Sequence, residues 1–169
     1  MRGYKVFMED SRQKELASLC SNEGKIIDLG CSQRPNLYLD SARTLGLDIR
    51  LNPECPYGTI IRDFEKGLLP LDIDNVKSII IGEVLEHFRG YERLLIDCFK
   101  LLEDGGRLVV SFPDPLIDSF MVFRGKSLDH IHILHPIHLK RLLEDIGFKS
   151  VVYSRCFKWY VMTGLKLEG

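Results

Sequence analysis

Short runs of aliphatic and β-branched residues recur along the chain at positions 25–29, 45–49, 59–61, 78–81 and 107–112. Each is apolar at consecutive positions rather than at every second one. A strand of that kind has both faces buried, which is the pattern of a parallel sheet covered by helices. Helical spacing fills two of the intervals. Residues 91–103 carry Leu94, Leu95, Cys98, Leu101 and Leu102 on one stripe, with Gly105 and Gly106 as the stop. Residues 136–146 open with Pro136, repeat Leu139, Leu142, Leu143 and Ile146, and end at Gly147. A shorter helix is expected from a cap at Asp10 or Ser11 through about Cys20.

Alternation of strand and helix predicts an open, doubly wound α/β sheet with helices on both faces and ligands at the carboxyl ends of the strands. Residues 149–167 read as two further strands with a turn near Arg155 and Cys156, which makes seven, one of them antiparallel at the C-terminal end. Right-handed crossovers put the first strand in the centre, with strands four and five on one side and two and three on the other. Only RLNPECPY, residues 50–57, joins strands two and three. Two prolines in so short a link exclude a regular crossover helix and predict an edge strand reached by irregular chain.

With 169 residues and no repeat or polar linker, one domain is expected over 1–169. Lys and Arg number 23 against 24 Asp and Glu, so no overall field favours a nucleic acid. The five cysteines are scattered without a C-x-x-C pair, which argues against a disulfide framework or zinc ribbon and fits a reducing cytoplasm. Charge interrupts the first twenty residues, so neither a signal peptide nor a membrane span is expected.

The candidate chemistry lies at the strand ends. Asp28 and Gly30 close the first run, where glycine allows close backbone approach to a ligand. Asp48, followed by Ile49, ends the second, where the two oxygens of a carboxylate match a vicinal diol. Asp63 and Phe64 follow the third, an acceptor beside an aromatic ring. The fourth runs into Gly82-Glu83-Val84-Leu85-Glu86-His87-Phe88, three ionisable groups within five residues.

In IIDLGCS (26–32), GLDI (46–49), RDFEKGLLPL (62–71), SIIIGEVLEHF (78–88) and LLEDGGRLVVSFPDP (101–115), the chain resembles class I S-adenosylmethionine-dependent methyltransferases of the small bacterial and archaeal type. The later HIHILHPIHLKRLLEDIGF (130–148) is similar to the region after their fifth strand. The resemblance implies a Rossmann-like fold, S-adenosylmethionine as cofactor, a cofactor-binding half at 24–115, a substrate lid at 113–135 and a C-terminal helix and strands at 136–169. It implies that Asp28, Gly30 and Cys31 line the methionine side, Asp48 and Ile49 the ribose, Asp63 and Phe64 the adenine, and Glu83 with Val84 the wall nearest the sulfonium. Ser32 and Arg34 stand where the family repeats glycine, which makes this loop more hindered.

Methyl transfer needs alignment, and a base only when the acceptor loses a proton. His87, His130, His132 and His135 are the candidate bases, and the 130–138 segment is expected to face the pocket without a metal. The aromatic and polar mixture of residues 112–135 suits a small molecule or a lipid- or sugar-type acceptor, with a homodimer to complete the pocket. Two other readings remain at this point. A nicotinamide-dependent oxidoreductase lacks its G-x-G-x-x-G cradle here. A binding module that has kept the fold without turnover would fit Ser32, Arg34 and the small size.

Overall fold

The computed structural model describes residues 2–167, with side chains from residue 10 onward. A seven-stranded sheet runs in the order β3-β2-β1-β4-β5-β7-β6. Its strands are β1 (Lys25–Leu29), β2 (Thr44–Asp48), β3 (Gly58–Ile61), β4 (Val76–Gly82), β5 (Arg107–Pro113), β6 (Lys149–Cys156) and β7 (Trp159–Leu165). All neighbours from β3 to β5 are parallel, and β7 is antiparallel to both β5 and β6. The central β1 and the Rossmann-like order agree with the expectation from sequence.

The consecutive apolar residues divide between two cores. Ile27, Leu29, Ile79, Ile81, Leu108 and Val110 face α2 (Tyr91–Leu101) and α4 (Pro136–Ile146). Ile26, Ile80 and Val109, one position out of phase, face the opposite side with Leu16 of α1 (Arg2–Ser18) and Val161 of β7. This is the period-two consequence of a strand covered on both faces. Each of Ile79, Ile80 and Ile81 is almost wholly buried, a transfer gain of roughly 1.5–3 kcal/mol apiece.

Three elements differ from expectation. α1 begins eight residues or more before Asp10, so Asp10 and Ser11 lie mid-helix and do not cap it. The Asp10 carboxylate instead pairs with Lys14 one turn on, at 2.9 Å, and with the Tyr38 hydroxyl. α2 ends at Leu101, because Leu102 leaves the helix with ψ 137. Residues 113–135, expected as a substrate lid with no helix of their own singled out, contain α3 (Pro115–Phe123). Asp114 caps α3 by accepting from Leu116 N at 2.9 Å and Ile117 N at 3.4 Å, with Pro115 in the first turn. As the two prolines require, no helix forms between β2 and β3, and β3 is a largely exposed edge strand.

Candidate active site

A cavity of about 1020 Å³ opens at the carboxyl ends of the strands, where the chain order reverses between β1 and β4. Gly30, Ser32, Asp48, Ile49, Phe64, Glu83, Val84 and Phe88 line one part of it. Gly30 has φ +80, and a Cβ added there would lie 2.3 Å from Val84 Cγ2. Only glycine therefore leaves this wall open. The Asp48 carboxylate accepts from Ser32 N at 2.9 Å and Arg50 N at 3.1 Å, which fixes the loop after β1 to the end of β2. Phe64 and Phe88 form a tilted ring pair at 5.5 Å beside this loop. Glu83 sits at φ +57, a conformation that side chains rarely adopt. Its N–H bonds Ser111 O at 3.0 Å and its carboxylate pairs with Arg12 at 3.2 Å, while the Arg12 guanidinium lies over the Trp159 ring. Those contacts from α1, β5 and β7 hold the strained residue in place.

Three expected wall residues do not line the cavity. Asp28 is buried and accepts from the Tyr57 hydroxyl, which itself receives Asn36 N at 3.0 Å. Burial pushes its carboxyl up to about 6, opposed by the bond from Tyr57. Cys31 turns its thiol inward against Gly46, whose added Cβ would approach the sulfur to 2.5 Å, and burial raises that thiol to about 12. Asp63 spends its carboxylate locally, accepting from Glu65 N at 3.1 Å and pairing with Lys66 at 3.3 Å. These three order the loops whose backbones and neighbours form the wall.

The other part of the cavity is lined by Arg12, Pro113, Ile117, Asp118, Met121, Lys126, Asp129, His130, Lys158 and Trp159, with His87 at the junction. His87 and His130 meet edge to face at 4.7 Å. His87 Nδ1 lies 3.1 Å from Asp129 O, and His130 Nδ1 lies 2.7 Å from the buried Asp118 carboxylate. Beneath them Glu86 is 1% exposed, and neither of its carboxylate oxygens has a hydrogen-bond partner among the described residues. Burial drives its pKa upward. The Glu86 carbonyl accepts from Ile131 N at 2.9 Å and His132 N at 3.2 Å, which ties the 130s segment to the 3-10 turn that follows β4.

His130 and His132 do not share a face as an extended segment would require: the one ring meets His87 and the other Tyr91. The His132 ring packs edge-on against Tyr91 at 5.1 Å, and the exposed His135 precedes α4. Neither lines the cavity, so of the four histidines expected there only His87 and His130 arrive. Sequence reasoning missed Arg12, Asp118, Lys126 and Lys158, and read Trp159 as core or interface alone. A signal existed for Asp118. The Asp114-Pro115 start of a helix would have placed it one turn along, at the mouth of β5.

The methyltransferase-domain family matches residues 2–153. A curated protein of Mycolicibacterium smegmatis, named "Probable S-adenosylmethionine-dependent methyltransferase", is 28% identical over an alignment 146 residues long that covers 80% of this chain and 56% of that protein. The chain thus spans little more than half the length of that relative. Among solved structures, an S-adenosylmethionine-dependent methyltransferase from Archaeoglobus fulgidus aligns with TM-score 0.76 at 17% identity, covering 96% of this chain and 99% of that one. Phosphoethanolamine N-methyltransferase 2 of Haemonchus contortus, in complex with S-adenosyl-L-methionine, aligns with TM-score 0.70 at 7% identity, covering 95% and 52%. At these identities the two structures speak to the fold.

Proposed function

The chain belongs to the methyltransferase-domain family, in its class I, S-adenosylmethionine-dependent branch, and from that membership we propose that it methylates a small molecule or a lipid- or sugar-type acceptor bound in the cavity beside the cofactor. The observation that carries this reading is the pairing of Gly30 and Asp48 at the topological switch point, on the wall of a cavity with room for two ligands. Gly30, at φ +80 and with Val84 packed against the side where a Cβ would stand, presents bare backbone on the cavity wall, as the close approach of a ligand needs. The residues present therefore fit the cofactor.

Bound S-adenosylmethionine supplies an electrophilic methyl group, and the protein supplies position. Asp48 takes the ribose hydroxyls, and Ile49, Phe64 and Phe88 enclose the base. Gly30, Glu83 and Val84 shape the methionine side. Asp28, Cys31 and Asp63 act through the loops they order and touch no ligand. The acceptor occupies the half lined by Ile117, Met121, Lys126, Asp129, His130 and Lys158, whose mixture of apolar and charged groups suits an amphiphilic molecule. Its reacting atom is directed toward His87 and His130, which reduces the four candidate bases to two. A second copy of the chain at the mouth of this half remains part of the proposal. Among the described residues no helix is long and apolar enough to cross a membrane.

The acceptor class is tested by incubating the protein with S-adenosylmethionine carrying a labelled methyl group and with size-fractionated cell extract. Label is expected in the low-mass or lipid fraction. Label in protein or nucleic acid alone would reject the acceptor class.

A further inference from the structure

We propose that Glu86, His87 and His130 form a binding site for one first-row divalent transition-metal cation at the acceptor end of the cavity. One ligand atom from each residue lies within 4.8 Å of the other two. Side-chain torsions close such a separation to the ~3–3.5 Å edge of a coordination polyhedron whose bonds are about 2.0–2.2 Å long.

The hydrogen bonds around the cluster decide what it can bind. His87 Nδ1–H donates to Asp129 O, and His130 Nδ1–H donates to the Asp118 carboxylate. Both rings are thereby fixed as the tautomer whose Nε2 carries a lone pair. A carboxylate or carbonyl on the far nitrogen is also the usual support of a ligating histidine. Glu86 adds a carboxylate that is 1% exposed and has no hydrogen-bond partner among the described residues. Each of the three residues thus has an electron pair to offer a cation. Left unmatched, a buried carboxylate is costly, and a cation in the middle satisfies all three groups at once.

Two imidazoles and one carboxylate suit zinc, iron, cobalt or manganese better than magnesium or calcium, which prefer all-oxygen sites. Three protein ligands leave coordination positions open. His87 and His130 line the cavity, so those positions face the acceptor half and take an oxygen of the acceptor. This role in the reaction rests on the methyltransferase reading, whereas cation binding does not. With a cation present, the metal raises the acidity of the bound acceptor, whose proton leaves to solvent water through the open cavity, and His87 and His130 act as ligands in place of the base role they have without the cation.

The full chain, purified without an affinity tag and stripped with chelator, is titrated with Co²⁺ and followed by visible absorption. Binding of S-adenosylhomocysteine is measured on the same preparation. One equivalent of Co²⁺ is expected, displaced by Zn²⁺. Asp118→Ala should weaken it on the order of 10- to 100-fold by releasing His130, and Glu86→Gln or His130→Ala should weaken it further. His135→Ala and His138→Ala should change nothing. Should Glu86→Gln fail to fold, the more exposed His87→Ala replaces it, with melting temperature as the check. No saturable Co²⁺ binding at about 1 mM, or binding that survives Glu86→Gln and His130→Ala but is lost on His135→Ala or His138→Ala, overturns the site. A protein that binds Co²⁺ but not S-adenosylhomocysteine keeps the metal site and loses the cofactor reading; the converse result does the opposite.

Discussion

Asp48 does two jobs at once. Its oxygens hold Ser32 N and Arg50 N and also face the cavity, so its removal is expected to cost both cofactor affinity and loop order. Asp28 does the reverse of what its place in the motif implies: it is sealed under the loop by Tyr57. Its folded pKa of about 6 lies above the ordinary aspartate value of 3.8, so between these values the native protein binds more protons than the unfolded chain. By linkage this group's contribution to stability falls as pH rises from about 4 through 6, on the order of 2–3 kcal/mol in all. Asp28→Asn, which still accepts from Tyr57, should flatten the stability profile over that window in urea unfolding at pH 4.5 and 7; an unchanged slope would clear Asp28 of the effect. Gly30→Ala should lower the melting temperature and weaken S-adenosylhomocysteine together, because φ +80 and the close Val84 methyl both oppose a side chain. Stability and affinity both at wild-type level would show that the wall can yield.

At the scale of elements, the sequence reading succeeded where burial and periodicity say the same thing. β1 and α4 have the bounds that their apolar pattern predicts, since both faces of the one and a full stripe of the other are in the core. α3 escaped because its apolar residues do not point inward: Leu116, Phe120 and Phe123 are exposed, while its buried residue is Asp118. A stripe facing solvent carries no core signal, and only the Asp114-Pro115 cap marks the helix. Asp114 also receives Arg155 Nε at 2.6 Å, so one carboxylate joins α3 to β6. Asp114→Ala should therefore cost about 1–2 kcal/mol in denaturant unfolding and speed proteolysis within 115–123, with Asp114→Asn recovering part of the loss. Equal protease resistance in Asp114→Ala would mean that α3 is held by something other than its cap.

Across the whole molecule, the wall proposed for the cofactor was legible because its residues sit at or just after the ends of strands, and strand ends can be counted from hydrophobic runs. The acceptor half was not. Arg12, Asp118, Lys158 and Trp159 come from α1, α3 and the β6–β7 turn with its flanking strand, and they converge only once β7 has returned antiparallel beside β5. Side-chain direction divided the rest, keeping Asp28, Cys31 and Asp63 off the wall that their motif neighbours form. The account as a whole depends on the cavity being a nucleoside site gripped by Asp48. Calorimetric titration of wild type and Asp48→Ala with S-adenosylhomocysteine and NAD tests that most directly. The wild type should bind one equivalent of S-adenosylhomocysteine in clear preference to NAD, and Asp48→Ala should lose on the order of 10- to 100-fold in affinity. A wild type that binds neither ligand at millimolar concentration, or binds NAD as tightly as S-adenosylhomocysteine, would contradict it.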